Sequence, residues 1–259
     1  MLKIAIYGKG GIGKSTIACN LSAALAEKGY KVMQIGCDPK SDSTMGLCGE
    51  RITSVLELVR KNGDDIQLED MVRIGYNGVI CVEAGGPVPG LGCAGRGMIA
   101  ALEKLQEKGA YEKYDPDVVI YDVLGDVVCG GFSMPMRKGH ADKVFIVTSG
   151  ESMSCYAAAN IAMAVDNFKN RGYAKLGGII FNRRDVDGEE ERVKALCKDF
   201  STSVVGEISR SKDISDCDMR HKTVIEECHG GISASEFFRL ADDIVKNCIG
   251  QGEKNAKEN

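Results

Sequence analysis

Along this chain, short apolar runs rich in β-branched residues alternate with longer segments of helical spacing. The runs are Ile4–Tyr7, Val32–Ile35, Val79–Val82, Val118–Asp122, Val144–Thr148 and Gly178–Phe181, with a weaker one at Ser203–Val205. Between them Ile17, Leu21 and Leu25, and again Ile99, Leu102 and Leu105, recur at the three-to-four-residue interval of an amphipathic helix. A strand that reads as a nearly continuous apolar run is buried on both faces. Such strands alternating with helices predict a parallel sheet covered on each side. The expected fold class is α/β, a single doubly wound and mostly parallel sheet, with ligands received at the carboxyl ends of its strands. No internal repeat or linker breaks the pattern. Residues 1–249 are therefore read as one domain and the polar, charged stretch 250–259 as a flexible tail.

Composition narrows the function classes. With 259 residues, 44% hydrophobic and 27% charged, the chain has the make-up of an ordinary globular domain. Its formal net charge of −4 argues against a nucleic-acid-binding surface as its main business. No apolar run approaches the roughly 20 residues of a membrane helix, and Met1-Leu2-Lys3 leads straight into a strand pattern with no leader. A cytoplasmic protein without membrane or nucleic-acid partners is expected. An odd count of eleven cysteines and the absence of a leader disfavour a disulfide framework. Cys19, Cys81, Cys155, Cys197 and Cys248 read as small buried hydrophobes. Cys228-His229 has no second pair at ligand spacing and reads as a surface turn. His140 and His221 carry no readable chemistry.

The chemistry starts after the first strand. Gly8-Lys9-Gly10-Gly11-Ile12-Gly13-Lys14-Ser15-Thr16 fits the complete G-x-x-x-x-G-K-[ST] pattern between a strand and a helix. Glycines let backbone N–H groups close around phosphate oxygens, and the following helix N-terminus adds a favourable field. Lys14 is expected to reach the β- and γ-phosphates and the Ser15 hydroxyl to ligate Mg²⁺. Two acidic segments follow strand ends. One is Gly36-Cys37-Asp38-Pro39-Lys40-Ser41-Asp42-Ser43-Thr44, and the other runs from Asp122 through Asp126. Asp122 is the expected Walker-B-type carboxylate, holding Mg²⁺ through water. Asp38 and Asp126 both qualify to position the attacking water. Two cysteines stand beside this machinery: Cys93 in the glycine-rich stretch 85–97, and Cys129 seven residues after Asp122.

Taken together, the Gly8–Thr16 loop, Gly36-Cys37-Asp38-Pro39-Lys40, Gly92-Cys93-Ala94-Gly95-Arg96-Gly97 and the segment from Asp122 to Phe132 resemble the nitrogenase iron protein family. That family includes nitrogenase-like reductases of tetrapyrroles. The likeness runs from Ile4 to about Val245. It implies P-loop architecture of the deviant Walker A type, in which a lysine placed like Lys9 reaches the partner subunit's nucleotide. It further implies a homodimer bridged by one [4Fe–4S] cluster, held by Cys93 and Cys129 of each subunit. The arithmetic agrees, because two thiolates cannot saturate such a cluster and two copies can. MgATP hydrolysis would then drive one-electron delivery to a separate nitrogenase-like catalytic component, with a ferredoxin or flavodoxin as donor. By the same resemblance Asp42, Asp122 and Asp126 belong to nucleotide switches, Arg96 to the docking face and Asn182 to the adenine site.

Departures from the family pattern bear on the substrate. The family usually reads Glu-Ser-Gly-Gly-Pro-Glu-Pro where this chain has Glu83-Ala84-Gly85-Gly86-Pro87-Val88-Pro89. It reads Pro-Arg-Asp where this chain has Ser209-Arg210-Ser211. Glu227-Cys228-His229-Gly230-Gly231 replaces a region that usually brings a polar adenine contact, and the long C-terminal extension of nitrogenase iron proteins is missing. A short nitrogenase-like iron protein is expected, with dinitrogen reduction the less favoured task. The alternatives are a partitioning ATPase, which has no reason to place cysteines on its switches, and an iron–sulfur carrier, which carries a C-terminal CxxC absent here.

Overall fold

The protein was analysed as a computed structural model that describes residues 1–86, 94–125, 134–137, 139–168 and 172–249. Its strands are β1 (Leu2–Tyr7), β2 (Val32–Gly36), β3 (Arg73–Ile74), β4 (Ile80–Glu83), β5 (Val118–Asp122), β6 (Lys143–Thr148), β7 (Lys175–Asn182) and β8 (Val204–Ile208). They form one sheet in the order β3-β4-β2-β5-β1-β6-β7-β8. Every pairing is parallel except β3 with β4. All the predicted strands are present. The short β3 was not predicted, because an exposed two-residue antiparallel edge carries no apolar run.

The helices are α1 (Lys14–Glu27), α2 (Met45–Cys48), α3 (Val55–Asn62), α4 (Ala94–Glu107), α5 (Ala110–Tyr114), α6 (Ser152–Phe168), α7 (Glu189–Asp199), α8 (Lys212–Met219), α9 (Val224–Glu227) and α10 (Ile232–Ile249). Alternation along β1 shows how two cores arise. Ala5 and Tyr7 join Met98, Leu102 and Leu105 of α4 and Ile161 of α6 on one face. Ile4 and Ile6 join Ile17, Leu21 and Leu25 of α1 and Phe237 and Leu240 of α10 on the other. Full burial of each such side chain is worth about 1.5–3 kcal/mol, so both faces must be covered for the sheet to be stable. Of the cysteines expected inside, Cys19, Cys81 and Cys197 are buried, while Cys155 and Cys248 are partly exposed. Among the described residues no helix is long and apolar enough to cross a membrane.

β1 lies between β5 and β6, and the chain visits strands on both sides of it. The carboxyl ends of β2, β5 and β1 therefore lie side by side, with Asp122 in register with Gly36 on one neighbour and Ile6 on the other. Both acidic loops and the Gly8–Thr16 loop emerge at this switch point.

Candidate functional site

The loop between β1 and α1 is built to receive an anion. α3, α8 and α9 begin with a side-chain cap from Ser54, Ser211 and Thr223. By contrast, α1 starts at Gly13 in the left-handed region (φ 97°), with no side-chain cap and no acidic residue in its first turn. Its first N–H groups thus remain available to phosphate oxygens. Lys14 is 9% exposed, and its Nζ donates to the Lys9 carbonyl at 3.3 Å. A cleft of about 550 Å³ opens in front of the loop, lined among others by Gly10, Lys14, Ser15, Thr16, Asp38 and Asp42. The partly exposed Lys9 is not part of that lining.

Asp122 is 2% exposed at the end of β5. Burial raises its pKa, opposed by the Lys14 ammonium and by hydrogen bonds from Ser15 and Ser43. Ser43 Oγ donates to Asp122 Oδ2 at 2.6 Å, whereas Oδ1 has no partner among the described residues. A buried carboxylate oxygen without a donor costs about 1–3 kcal/mol, unless a ligand supplies one. A phosphate cradle, a lysine, a serine hydroxyl and this free oxygen together form a donor set that fits Mg·ATP.

Asp38 accepts from the Lys40 N–H at 2.9 Å, folding its own loop into a tight turn while still lining the cleft. Asp42 is exposed on the same wall. Asn182 ends β7 and donates to the Ile12 carbonyl at 2.7 Å, so it also buttresses the phosphate loop. It lines a second cavity of about 310 Å³ with Arg184, Ser209, Arg210 and Ser211. Arg96 is exposed on α4. Asp126, Cys93 and Cys129 lie outside the described residues, as does residue 250 onward.

Several site residues were not anticipated. Asp218 on α8 lines both cavities and accepts from Thr16 Oγ1 at 3.1 Å. Arg184 reaches the Ile12 carbonyl at 3.3 Å. His221, which carried no readable chemistry, stands on the wall of the larger cleft. Glu83 ends β4 fully buried and takes both donors of Thr44, N and Oγ1, each at 2.7 Å. A polar residue at the end of an apolar strand was the available signal for Glu83, as it was for Asp122. Cys228 faces Cys217 across 4.0 Å, and His229 packs edge-on against Phe238.

Gly125 touches the phosphate loop directly. A Cβ there would stand 2.5 Å from Gly10 N and 2.8 Å from Gly8 O. Backbone on both sides leaves no room to yield, so Gly125→Ala must displace the cradle. We expect MgATP affinity to fall by roughly tenfold or more, a modest share of the lost phosphate hydrogen bonds. Isothermal titration would measure it; affinity equal to wild type would mean the two segments are not in contact in solution.

Fold and site together define an α/β protein of P-loop architecture. Solved structures agree at the level of fold. The septum site-determining protein MinD from Pyrococcus horikoshii, complexed with Mg-ADP, superposes with a TM-score of 0.71 at 22% identity, covering 94% of this chain and 96% of that one. A ParA family ATPase from Chlorobium tepidum gives 0.71 at 17% identity over 93% and 97%. Sequence comparison is more specific. The model of 4Fe-4S iron sulfur cluster binding proteins of the NifH/frxC family matches residues 2–254. The nitrogenase iron protein of Methanococcus voltae is 48% identical over 248 residues, 95% of this chain and 89% of that protein. That of Methanospirillum hungatei is 49% identical over 251 residues, with the same coverages. The chain belongs to the NifH/frxC family.

Proposed function

We propose that this protein is an ATP-dependent one-electron reductase, working as a homodimer with one [4Fe–4S] cluster between its subunits. Family membership supports the ATPase and reductase class. The observation that carries the coupling is the position of Asp122. Its carboxylate lies between the phosphate loop and the 38–44 loop, and Cys129 follows seven residues later in sequence.

The proposed chemistry divides among the chain's own groups. The α1 N-terminus and Lys14 hold the β- and γ-phosphates and balance the charge that grows on the leaving oxygen. Ser15 and Asp122, the latter through water, hold Mg²⁺. Asp38 and Asp126 both qualify to orient the attacking water, which adds to the γ-phosphorus as the bond to the β-phosphate oxygen breaks. Lys9 extends toward the partner subunit's nucleotide. The cavity between Asn182 and Ser209–Ser211 takes the nucleoside, with Asp218 at its border. Cys93 and Cys129 of both subunits would ligate the cluster, whose chemistry there would be one-electron storage. Arg96 belongs to the face that meets a nitrogenase-like catalytic component, and a low-potential ferredoxin or flavodoxin is the electron source.

Anaerobic reconstitution followed by iron counting and EPR tests this reading. Four irons per dimer and a reduced-cluster signal are expected. Clearly fewer than four irons per dimer would sink the cluster proposal, while Cys93→Ser that still assembles a stable cluster would sink the ligand assignment.

A further inference from the structure

Glu83 on β4 pairs in register with Gly36 on β2, and Gly36 pairs with Asp122 on β5. Residues aligned across a parallel sheet present their side chains to one face. Two buried carboxyl groups therefore flank a glycine. Ser43 and Thr44 fill the slot between them. A Cβ on Gly36 would come 2.6 Å from Ser43 Cβ and 2.0 Å from Glu83 Oε2. Ser43 donates to Asp122, and Thr44 donates twice to Glu83. Gln34 and Cys19 hold the Ser43 carbonyl from below, each at 2.9 Å.

The contact continues beyond the strand. Gly86 packs so closely on Pro39 that a Cβ there would lie 2.4 Å from Pro39 Cβ, and Arg60 donates to the Gly86 carbonyl at 2.9 Å. Ser41, in the left-handed region at φ 55°, lies over Gly85. The exit of β4 thus meets the 38–44 loop at Pro39, Ser41 and Thr44. Buried side-chain oxygens without partners among the described residues are Ser41 Oγ, Glu83 Oε2 and Asp122 Oδ1, and all three lie on this seam. Unpaired polar atoms gathered at one seam leave bonding capacity there that a ligand or a shifted loop can take up.

We propose that Glu83 is a positioning residue of the nucleotide switch: with Asp122 it seats Ser43 and Thr44, and through that seat a displacement of the 38–44 loop passes to β4 and to the Gly85-Gly86 backbone. The inference rests on reading the cleft as an MgATP site. It adds a second route from nucleotide toward the cluster ligands, since Gly86 precedes Cys93 by seven residues in sequence.

Hydrogen exchange on the reconstituted full-length protein, with and without MgATP, tests it through the amides of 38–44 and 80–86. In wild type both segments are expected to change protection together on adding MgATP. Glu83→Ala should speed exchange of Thr44 by roughly tenfold, the measure of a lost buried hydrogen bond, and abolish the response of 80–86. Glu83→Gln keeps the oxygen that accepts both Thr44 donors and should retain the joint response. Gly86→Ala, which pushes Pro39 from the opposite end, should alter exchange of 38–42 and decides the matter if Glu83→Ala does not fold. Glu83→Ala protein that binds MgATP and responds at 80–86 as wild type does would overturn the proposal, as would Gly86→Ala with unchanged exchange at 38–42. Wild-type protein that fails to bind MgATP would instead remove the site reading, and the inference with it.

Discussion

Lys14→Ala is expected to lower MgATP hydrolysis by about 10³-fold, a loss of roughly 4 kcal/mol of transition-state stabilisation. The size follows from placement. Lys14 begins α1, is almost wholly buried, and points its ammonium back along the phosphate loop to the Lys9 carbonyl. A cation held in low-dielectric surroundings acts on developing phosphate charge far more strongly than one in water. Its removal also takes away the largest influence opposing the burial-driven rise of the Asp122 pKa, so two groups of the site lose function together. Phosphate release reads the loss directly. On the proposed ligand assignment, iron content should remain at wild-type level, because the variant leaves Cys93 and Cys129 untouched. Turnover within tenfold of wild type would contradict the role given to Lys14.

The second large effect is on stability and its dependence on pH. Burial pushes the Glu83 carboxyl from 4.5 to about 8, with the nearby Asp122 and Asp42 charges adding to the rise and the two Thr44 hydrogen bonds opposing it. A carboxyl raised on folding is neutral in both states below the unfolded value and imposes no penalty there. As pH climbs through the window between about 4.5 and about 8, the unfolded chain ionises first and folding loses stability. Each unit of the difference is worth about 1.4 kcal/mol, so the full window amounts to several kcal/mol. Glu83→Gln has no such group. Relative to wild type it should gain stability steadily from pH 5 to pH 8 and then level off, as urea unfolding of the reduced, metal-free chain at a series of pH values would record. A constant difference across that range would mean the carboxyl is ionised in the fold.

The parallel sheet was legible because burial on both faces writes itself as continuous apolar runs, as in Ile4–Tyr7 and Val144–Thr148. β8 gave only the weak run Ser203–Val205 because it is an edge strand with partly exposed residues. The phosphate loop was legible because its demands are local: glycines, one lysine and a hydroxyl in fixed order. The seat of Ser43 and Thr44 was not. It depends on which residues of β4, β2 and β5 fall in one lateral row, and register between strands 36, 83 and 122 residues into the chain leaves no local mark. Asn182 shows the same limit from another side. The family resemblance implied its place at the adenine site, but its bond to the Ile12 carbonyl is a property of the folded loop.

Gly36 carries a consequence for sequence variation. Its missing side chain is volume already spent, since Glu83 Oε2 and Ser43 Cβ occupy the space a methyl group would need. Positions 36, 43 and 83 therefore cannot drift independently. A larger residue at 36 requires a shorter one at 83 and a different entry into α2. A homologue that keeps glycine at 36 while shortening 83 would leave a hole beside Asp122, to be filled by water or by a bulkier residue at 43. The three positions form a single heritable unit, and substitutions among them should arrive in sets.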